Sequence, residues 1–127
     1  MGLTELTGVT GTMLKLALDA ASVRHMVIAN NIANANTPDF VPSRVEFEEH
    51  LAAAAVRDGA YGARLTRPVS PVIVSDPRAL DPVQARVQID LEVAKLAQNT
   101  LQYQVLTRGV RARLDMLQTA IGAGGSS

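Results

Sequence analysis

His25 and His50 are the two side chains whose type suits proton transfer near neutral pH, and neither has the surroundings of a catalytic base. His50 follows Glu46 by four residues, so the pair could share a metal ion from one helix face. Two ligands without a third make a poor site, and a solvated face is the expectation. His25 falls within a row of apolar residues at helical spacing, where a packed or interfacial imidazole is expected. Arg108, Arg111 and Arg113 form the densest basic cluster, yet no aromatic platform accompanies them. They read as a solvated face or as inter-subunit ion pairs. The chain has no cysteine, which excludes a thiolate zinc site, a disulfide framework and a cysteine nucleophile together. The expectation is a protein with no catalytic residue, no metal and no cofactor.

Composition narrows the class further. Twelve Lys and Arg balance twelve Asp and Glu, so no broad charge field invites nucleic acid or an anionic membrane. Hydrophobic residues make up 47% of the 127 residues, but aromatics only 3%, so the apolar mass is mostly Ala, Leu, Val and Ile. Such a chain suits close-packed helices better than an aromatic-lined pocket. Its length fits one domain, residues 1–127. No run of about 18 uncharged apolar residues could span a membrane, and no cleavable signal peptide opens the chain.

These elements must be long helices at the two ends. The six prolines lie between residues 38 and 82, leaving 1–37 and 83–127 free of the strongest helix breaker. Toward the N-terminus, Val9, Met13, Leu16, Val23 and Val27 recur at the three-and-four spacing of a coiled-coil seam. A second row, including Leu14, Ala21 and Ile28, makes the apolar face too wide for one partner, so two neighbours are expected. Toward the C-terminus, Val93, Leu96, Tyr103, Val110, Leu114, Leu117 and Ile121 keep the same spacing. Asp81-Pro82-Val83-Gln84 and Asp90 are both candidate starts for that helix. The alternation in Val87-Gln88-Ile89-Asp90 favours an extended strand there and a helix over 89–121, followed by a flexible glycine and serine tail over 122–127. Between the ends, over 38–88, Ser43-Arg44-Val45-Glu46 reads as a capping box opening a short helix near 44–57, closed by Asp58-Gly59. The proline-rich remainder allows loops and one unpaired strand at Val72-Ile73-Val74, mobile in an isolated subunit. The predicted fold is mainly α: long terminal helices paired as a coiled-coil-like antiparallel hairpin, with a short helix and a loop-rich middle.

Residues 29–40 are the distinctive stretch. Four asparagines fall within residues 30–36, although their amides compete with the helix for backbone hydrogen bonds. Asn30 and Asn34 continue the N-terminal seam, so the spacing points them at the partner helix, where a polar residue fixes register. Thr37 precedes Pro38 and is pushed to extended geometry, which ends the helix near Asn36; Asp39 then supplies a sharp turn before Phe40 packs back.

Ala29-Asn30-Asn31-Ile32-Ala33-Asn34, with Thr37, Pro38 and Phe40, resembles the signature of the axial proteins of the bacterial flagellar rod, hook and filament junction. Residues 44–55, Leu65-Thr66-Arg67-Pro68 and Ile89 through Tyr103 resemble the proximal-rod branch of that family. The likeness departs at Asp39, where the family usually has glycine, and over Val69 to Ser75. It implies a structural subunit of the proximal rod, with Asn30, Asn31, Ile32, Asn34, Thr37, Pro38 and Phe40 as its assembly motif. It also implies export through the flagellar type III apparatus without a cleaved signal, to a periplasmic position in the basal body. The implied partners are copies of itself, other proximal rod proteins of the FlgC kind, the rod-base adaptor FliE and the MS ring. Two helices alone leave the second apolar rows uncovered, so residues 8–36 and 90–121 are expected to order fully only on assembly. Heptads and neutral charge taken alone also suit a cytosolic helical-hairpin adaptor or export chaperone, and the motif alone also suits another proximal rod protein.

Overall fold

The computed structural model describes residues 3–57, 69–76 and 82–125, with the side chains of 3–10 and 82–87 left aside. Helix α1 (Leu3–Ala33) is followed by strand β1 (Ser43–Glu46), helix α2 (Glu48–Arg57), strand β2 (Val72–Ser75) and helix α3 (Pro82–Gly124). The terminal helices lie antiparallel. Arg113 covers Gly11, Gly109 faces Leu14, Asn99 reaches the Ala21 carbonyl and Asn31 reaches Glu92. Space differs at the two glycines: a methyl on Gly109 would sit 3.6 Å from Leu14 Cδ2, an ordinary contact, and one on Gly11 would sit 3.1 Å from the Arg113 guanidinium, a tight one.

Helix α1 does have two neighbours, and both belong to its own chain. Leu14, Ala21 and Asn31 turn toward α3. Leu16 and Ala20 pack instead on Phe47, Ala54 and Val69, with Val45 and Leu51 at the edges of that cluster. The middle segment therefore covers one apolar row of α1 that two helices alone would leave open.

Several boundaries differ from the sequence expectation. Helix α3 begins at Pro82, eight residues before Asp90, because a proline at the first helical position lacks only an N–H that would be unpaired anyway. The alternation at Val87–Asp90 does not prevail over that start. At the other end α3 continues through Gly124, since isolated glycines cost about 1 kcal/mol each without breaking a helix as proline does. Helix α1 stops at Ala33, and residues 34–36 are turns.

Ser43–Glu46 is a strand and not a capping box. It pairs antiparallel with β2 in the register Ser43↔Ser75, Arg44↔Val74, Val45↔Ile73 and Glu46↔Val72, and Asp76 N–H donates to the Pro42 carbonyl beyond it. Helix α2 starts after Phe47, whose carbonyl accepts from Leu51 N–H; Glu48 and Glu49 in the first turn and Arg57 in the last complement its dipole. The strand expected at Val72–Val74 thus has a partner. Expectations for Asp58-Gly59, Leu65–Pro68 and the last two serines fall outside the described residues.

Candidate functional site

The asparagine-rich end of α1 converges on one side chain. Asn31 is 4% exposed, and its carboxamide grips the backbone of Ser43 from both sides: Nδ2 donates to the Ser43 carbonyl at 2.7 Å, and Oδ1 accepts from the Ser43 N–H at 3.0 Å. The same Nδ2 donates to Glu92 Oε2 at 3.0 Å. One amide thereby joins the end of α1, the first residue of β1 and the start of the α1–α3 contact. Glu92 is itself buried, and its other oxygen accepts from Lys95 Nζ at 2.6 Å. A carboxylate withdrawn from water needs such a cation and donor. Every polar bond around Asn31 is local in chemistry but distant in sequence, which fixes how far α1 can slide along α3.

Asn30 and Asn34 do not enter the interface. Asn30 is exposed and Asn34 half-buried; Asn34 Nδ2 donates to the Asn30 carbonyl at 2.9 Å and to Asn30 Oδ1 at 3.0 Å. The Asn30 carbonyl also accepts from the Asn34 backbone N–H at 3.1 Å, so main chain and side chain of Asn34 together close the helix end. Ile32 is half-buried. Beyond it, Phe40 N–H donates to the Thr37 carbonyl at 3.3 Å, closing a turn with Pro38 second and Asp39 third. Asp39 has φ 59°, the left-handed region a turn of this kind demands at its third residue and the reason glycine suits the position. Thr37 and Pro38 are exposed, and Phe40 is half-buried.

A second amide lies about two turns along α3 from Glu92. Asn99 is 2% exposed; its Nδ2 donates to the Ala21 carbonyl at 2.9 Å, while its Oδ1 is buried with no hydrogen-bond partner. Beside it runs an open groove of about 360 Å³ whose walls include Arg24, Ile28, Arg44, Glu92 and Gln102. Arg24 Nη2 donates to both oxygens of Glu48 at 2.9 and 2.8 Å, tying the start of α2 to α1. Arg44 donates to Glu46 Oε1 at 2.7 Å, and that hydrogen bond raises the guanidinium above its ordinary value.

Packing between α1 and α3 follows a seam rotated from the one apolar residues suggest. The α3 side runs through Glu92, Leu96, Asn99, Leu106, Val110 and Arg113, all buried or half-buried. Leu96 and Val110 are shared with the sequence-derived seam. Val93, Tyr103, Leu114, Leu117 and Ile121 are exposed. The alternate column is largely polar, with Glu92, Asn99 and Arg113 separated by multiples of seven, so a count of hydrophobic residues passes over it. On α1, Val27 is buried and Met13, Leu16 and Val23 are half-buried; the Val9 side chain lies outside the described residues.

His50 Nε2 lies 3.7 Å from Glu46 Oε2, and Glu46 already receives Arg44 through its other oxygen. Among the described residues no three His, Asp or Glu side chains gather as a metal site would require, and no helix is long and apolar enough to cross a membrane. His25 is exposed rather than packed. The arrangement can hold helices in register; among the described residues it places no base against a nucleophile.

Comparison with known proteins bears on that arrangement. The family model described as "Flagella basal body rod protein" matches residues 16–40, which hold Asn31, the helix end and the Asp39 turn. The flagellar basal body rod protein FlgB of Bacillus subtilis is 28% identical over 124 residues, 91% of this chain and 96% of the relative. Proteins of the same description from Borrelia hermsii and Borreliella burgdorferi are 34% and 31% identical over 106 residues, each alignment covering 71% of this chain and 78% of the relative.

Proposed function

The chain belongs to the family of flagellar basal body rod proteins FlgB, structural proteins rather than enzymes, and from that membership we propose that it builds the proximal rod by helical self-assembly through α1 and α3. In this reading the terminal helices form the wall of a tube that lines the export channel and transmits torque. The subunit reaches a periplasmic position through the flagellar type III apparatus without a cleaved signal. There it meets copies of itself, FlgC-like rod proteins, the adaptor FliE and the MS ring.

One observation carries the proposal. Helix α3 exposes large apolar side chains on several sides: Leu91, Leu101, Val105, Leu114, Met116 and Ile121 all stand in solvent in the single chain. Exposed large apolar side chains in this number mark a surface that is covered in an assembly. Burying each such side chain contributes roughly 1.5–3 kcal/mol, so several of them together outweigh the ordering cost of docking.

Fractionation tests this reading. The protein is expected to purify with basal bodies, and only from cells whose flagellar export apparatus is intact. Retention in the cytosol irrespective of that apparatus overturns the reading and favours a cytosolic hairpin adaptor.

A further inference from the structure

The small sheet has two outer edges, and the chain treats them differently. Asp76 N–H donates to the Pro42 carbonyl, which fixes the alternation along the ladder: Arg44 and Glu46 on β1 and Val74 and Val72 on β2 turn their backbone groups toward the partner strand. Ser43 and Val45, and on the other strand Ile73 and Ser75, turn theirs outward. On β1 both outward groups of Ser43 are taken by the Asn31 carboxamide, which stands where a further strand would pair. On β2 no such cover exists among the described residues, where the sheet ends.

That open edge lacks the usual guards. Val69 to Ser75 carry no charge, and Val72, Ile73 and Val74 are all β-branched. Val72 is 41% and Ile73 57% exposed, and Ser75 is exposed as well. Lysines or a bulge commonly blunt an edge of this kind; here Pro71 precedes the strand and guards only its start.

We propose that, outside the assembled rod, two copies of the chain pair antiparallel through β2, edge to edge, in one sheet ordered β1-β2-β2-β1. The strand is its own complement. With Val74 of one copy opposite Val74 of the other, Ile73 of each copy faces Ser75 of its twin, and each such pair exchanges both backbone hydrogen bonds. Sliding the strands to centre on Ile73 sets Ser75 against Pro71, which has no N–H to return, so the register is specified. At the two-fold the Val74 side chains meet at a position without hydrogen bonds, where opposed side chains come closest and β-branched pairs are favourable. Ile73 shares its face of the sheet with Val45, which packs at the rim of the Phe47 cluster, so the added strand extends that apolar layer. The charged β1, with Arg44 and Glu46 and with Ser43 already engaged, offers no rival partner.

Both copies use the same strand, so the contact is isologous and stops at a dimer. A two-fold contact does not propagate along an open axial array. The pairing therefore belongs to the subunit before it is built in, when it shields an uncharged strand from less specific pairing. It is independent of the rod reading, which stands whether or not the dimer forms.

Single cysteines test the pairing in the purified full chain, which has no thiol of its own. In Val74→Cys the two thiols face each other across the two-fold with a Cα separation of about 4.5 Å, inside the range of a disulfide. In Val72→Cys they lie about 13 Å apart along the strands, at about 3.3 Å per residue, and cannot bond. In the same thiol–disulfide buffer, Val74→Cys is expected to accumulate a covalent dimer that Val72→Cys does not. Adding Ile73→Pro removes an outward N–H, spares the ladder to β1 and is expected to lower the Val74→Cys dimer to the Val72→Cys level. Adding Ile73→Lys, which leaves the backbone donors in place and charges the edge, is expected to act in the same direction. A Val74→Cys chain that stays monomeric, or that in cells is trapped on another protein instead of its twin, overturns the pairing. Equal dimer from both cysteines, or dimer undiminished by the edge variants, overturns it as well.

Discussion

Asn31→Asp is the sharpest perturbation of the hub because it keeps the shape and exchanges a donor for a charged acceptor. The Oδ1 that accepts from Ser43 N–H survives. The two donations from Nδ2, to the Ser43 carbonyl and to Glu92, are lost and replaced by an acceptor. A neutral hydrogen bond contributes about 0.5–1.5 kcal/mol and one to a charged group about 1.5–3 kcal/mol, giving a loss of roughly 2–4.5 kcal/mol before repulsion. The new carboxylate also sits where Nδ2 was, 3.0 Å from Glu92 Oε2; two unit charges 4 Å apart repel by about 4 kcal/mol at an effective dielectric of 20, and Lys95 relieves part of that. The expected cost is about 3–6 kcal/mol at neutral pH, a large share of a small domain's stability.

Such a carboxyl pair holds a proton more tightly folded than unfolded. The folded apparent pKa therefore rises, and the penalty is full at high pH and shrinks as pH falls toward the ordinary carboxyl value of about 4. The bound proton then acts as the missing donor. Melting followed by circular dichroism, at a concentration where the unsubstituted chain is helical, should show a gap between variant and parent that narrows from about pH 7 to about pH 5. Asn31→Ala should show a cost whose gap to the parent does not close in this way. A variant within about 1 kcal/mol of the parent at neutral pH, or a gap that ignores pH, refutes the hub.

Other perturbations separate folding from assembly. Leu114→Asp abolishes incorporation into basal bodies, because Leu114 is 52% exposed in the single chain and the charge falls in the contact proposed to cover it; normal motility contradicts it. Asp39→Gly relieves the left-handed backbone and raises stability by about 0.5 kcal/mol net of glycine's entropy, so a lowered melting temperature contradicts the turn. Gly109→Ala gains up to about 1 kcal/mol of helix propensity, since its methyl meets Leu14 at ordinary contact distance; a loss would mean tighter helices than described. Helical signal of the isolated chain should rise with concentration over the submicromolar to micromolar range, and a concentration-independent, cooperative melt contradicts ordering on assembly.

Two long helices, their antiparallel pairing and the second neighbour of α1 were legible because apolar spacing and the proline-free ends are local signals. The turn at Asp39 was legible for the same reason. What escaped was non-local. Ser43–Glu46 carries a good capping box, but a β2 strand some thirty residues away and the Asn31 amide both compete for its backbone and prevail. Glu92 and Asn99 belong to the interhelical seam only because Asn31 and the Ala21 carbonyl await them, and no property of either residue type announces that. Spacing alone pointed Asn30 and Asn34 inward. One step of about 100° around the helix gives that role to Asn31.

The core offers a last consequence. Ala20, Ala21 and Ala54 share it with Val27, Ile28, Phe47 and Val69, and among the described residues no large side chain is sealed completely from solvent. Little interlocking bulk has to be wrenched free when such a molecule is drawn out into a thread, since alanine leaves shallow sockets and little shape memory. Under the proposed export route, a part that is pulled straight, passed through a narrow bore and coiled again gains from being lightly fastened within itself, keeping its strongest grip for its neighbours.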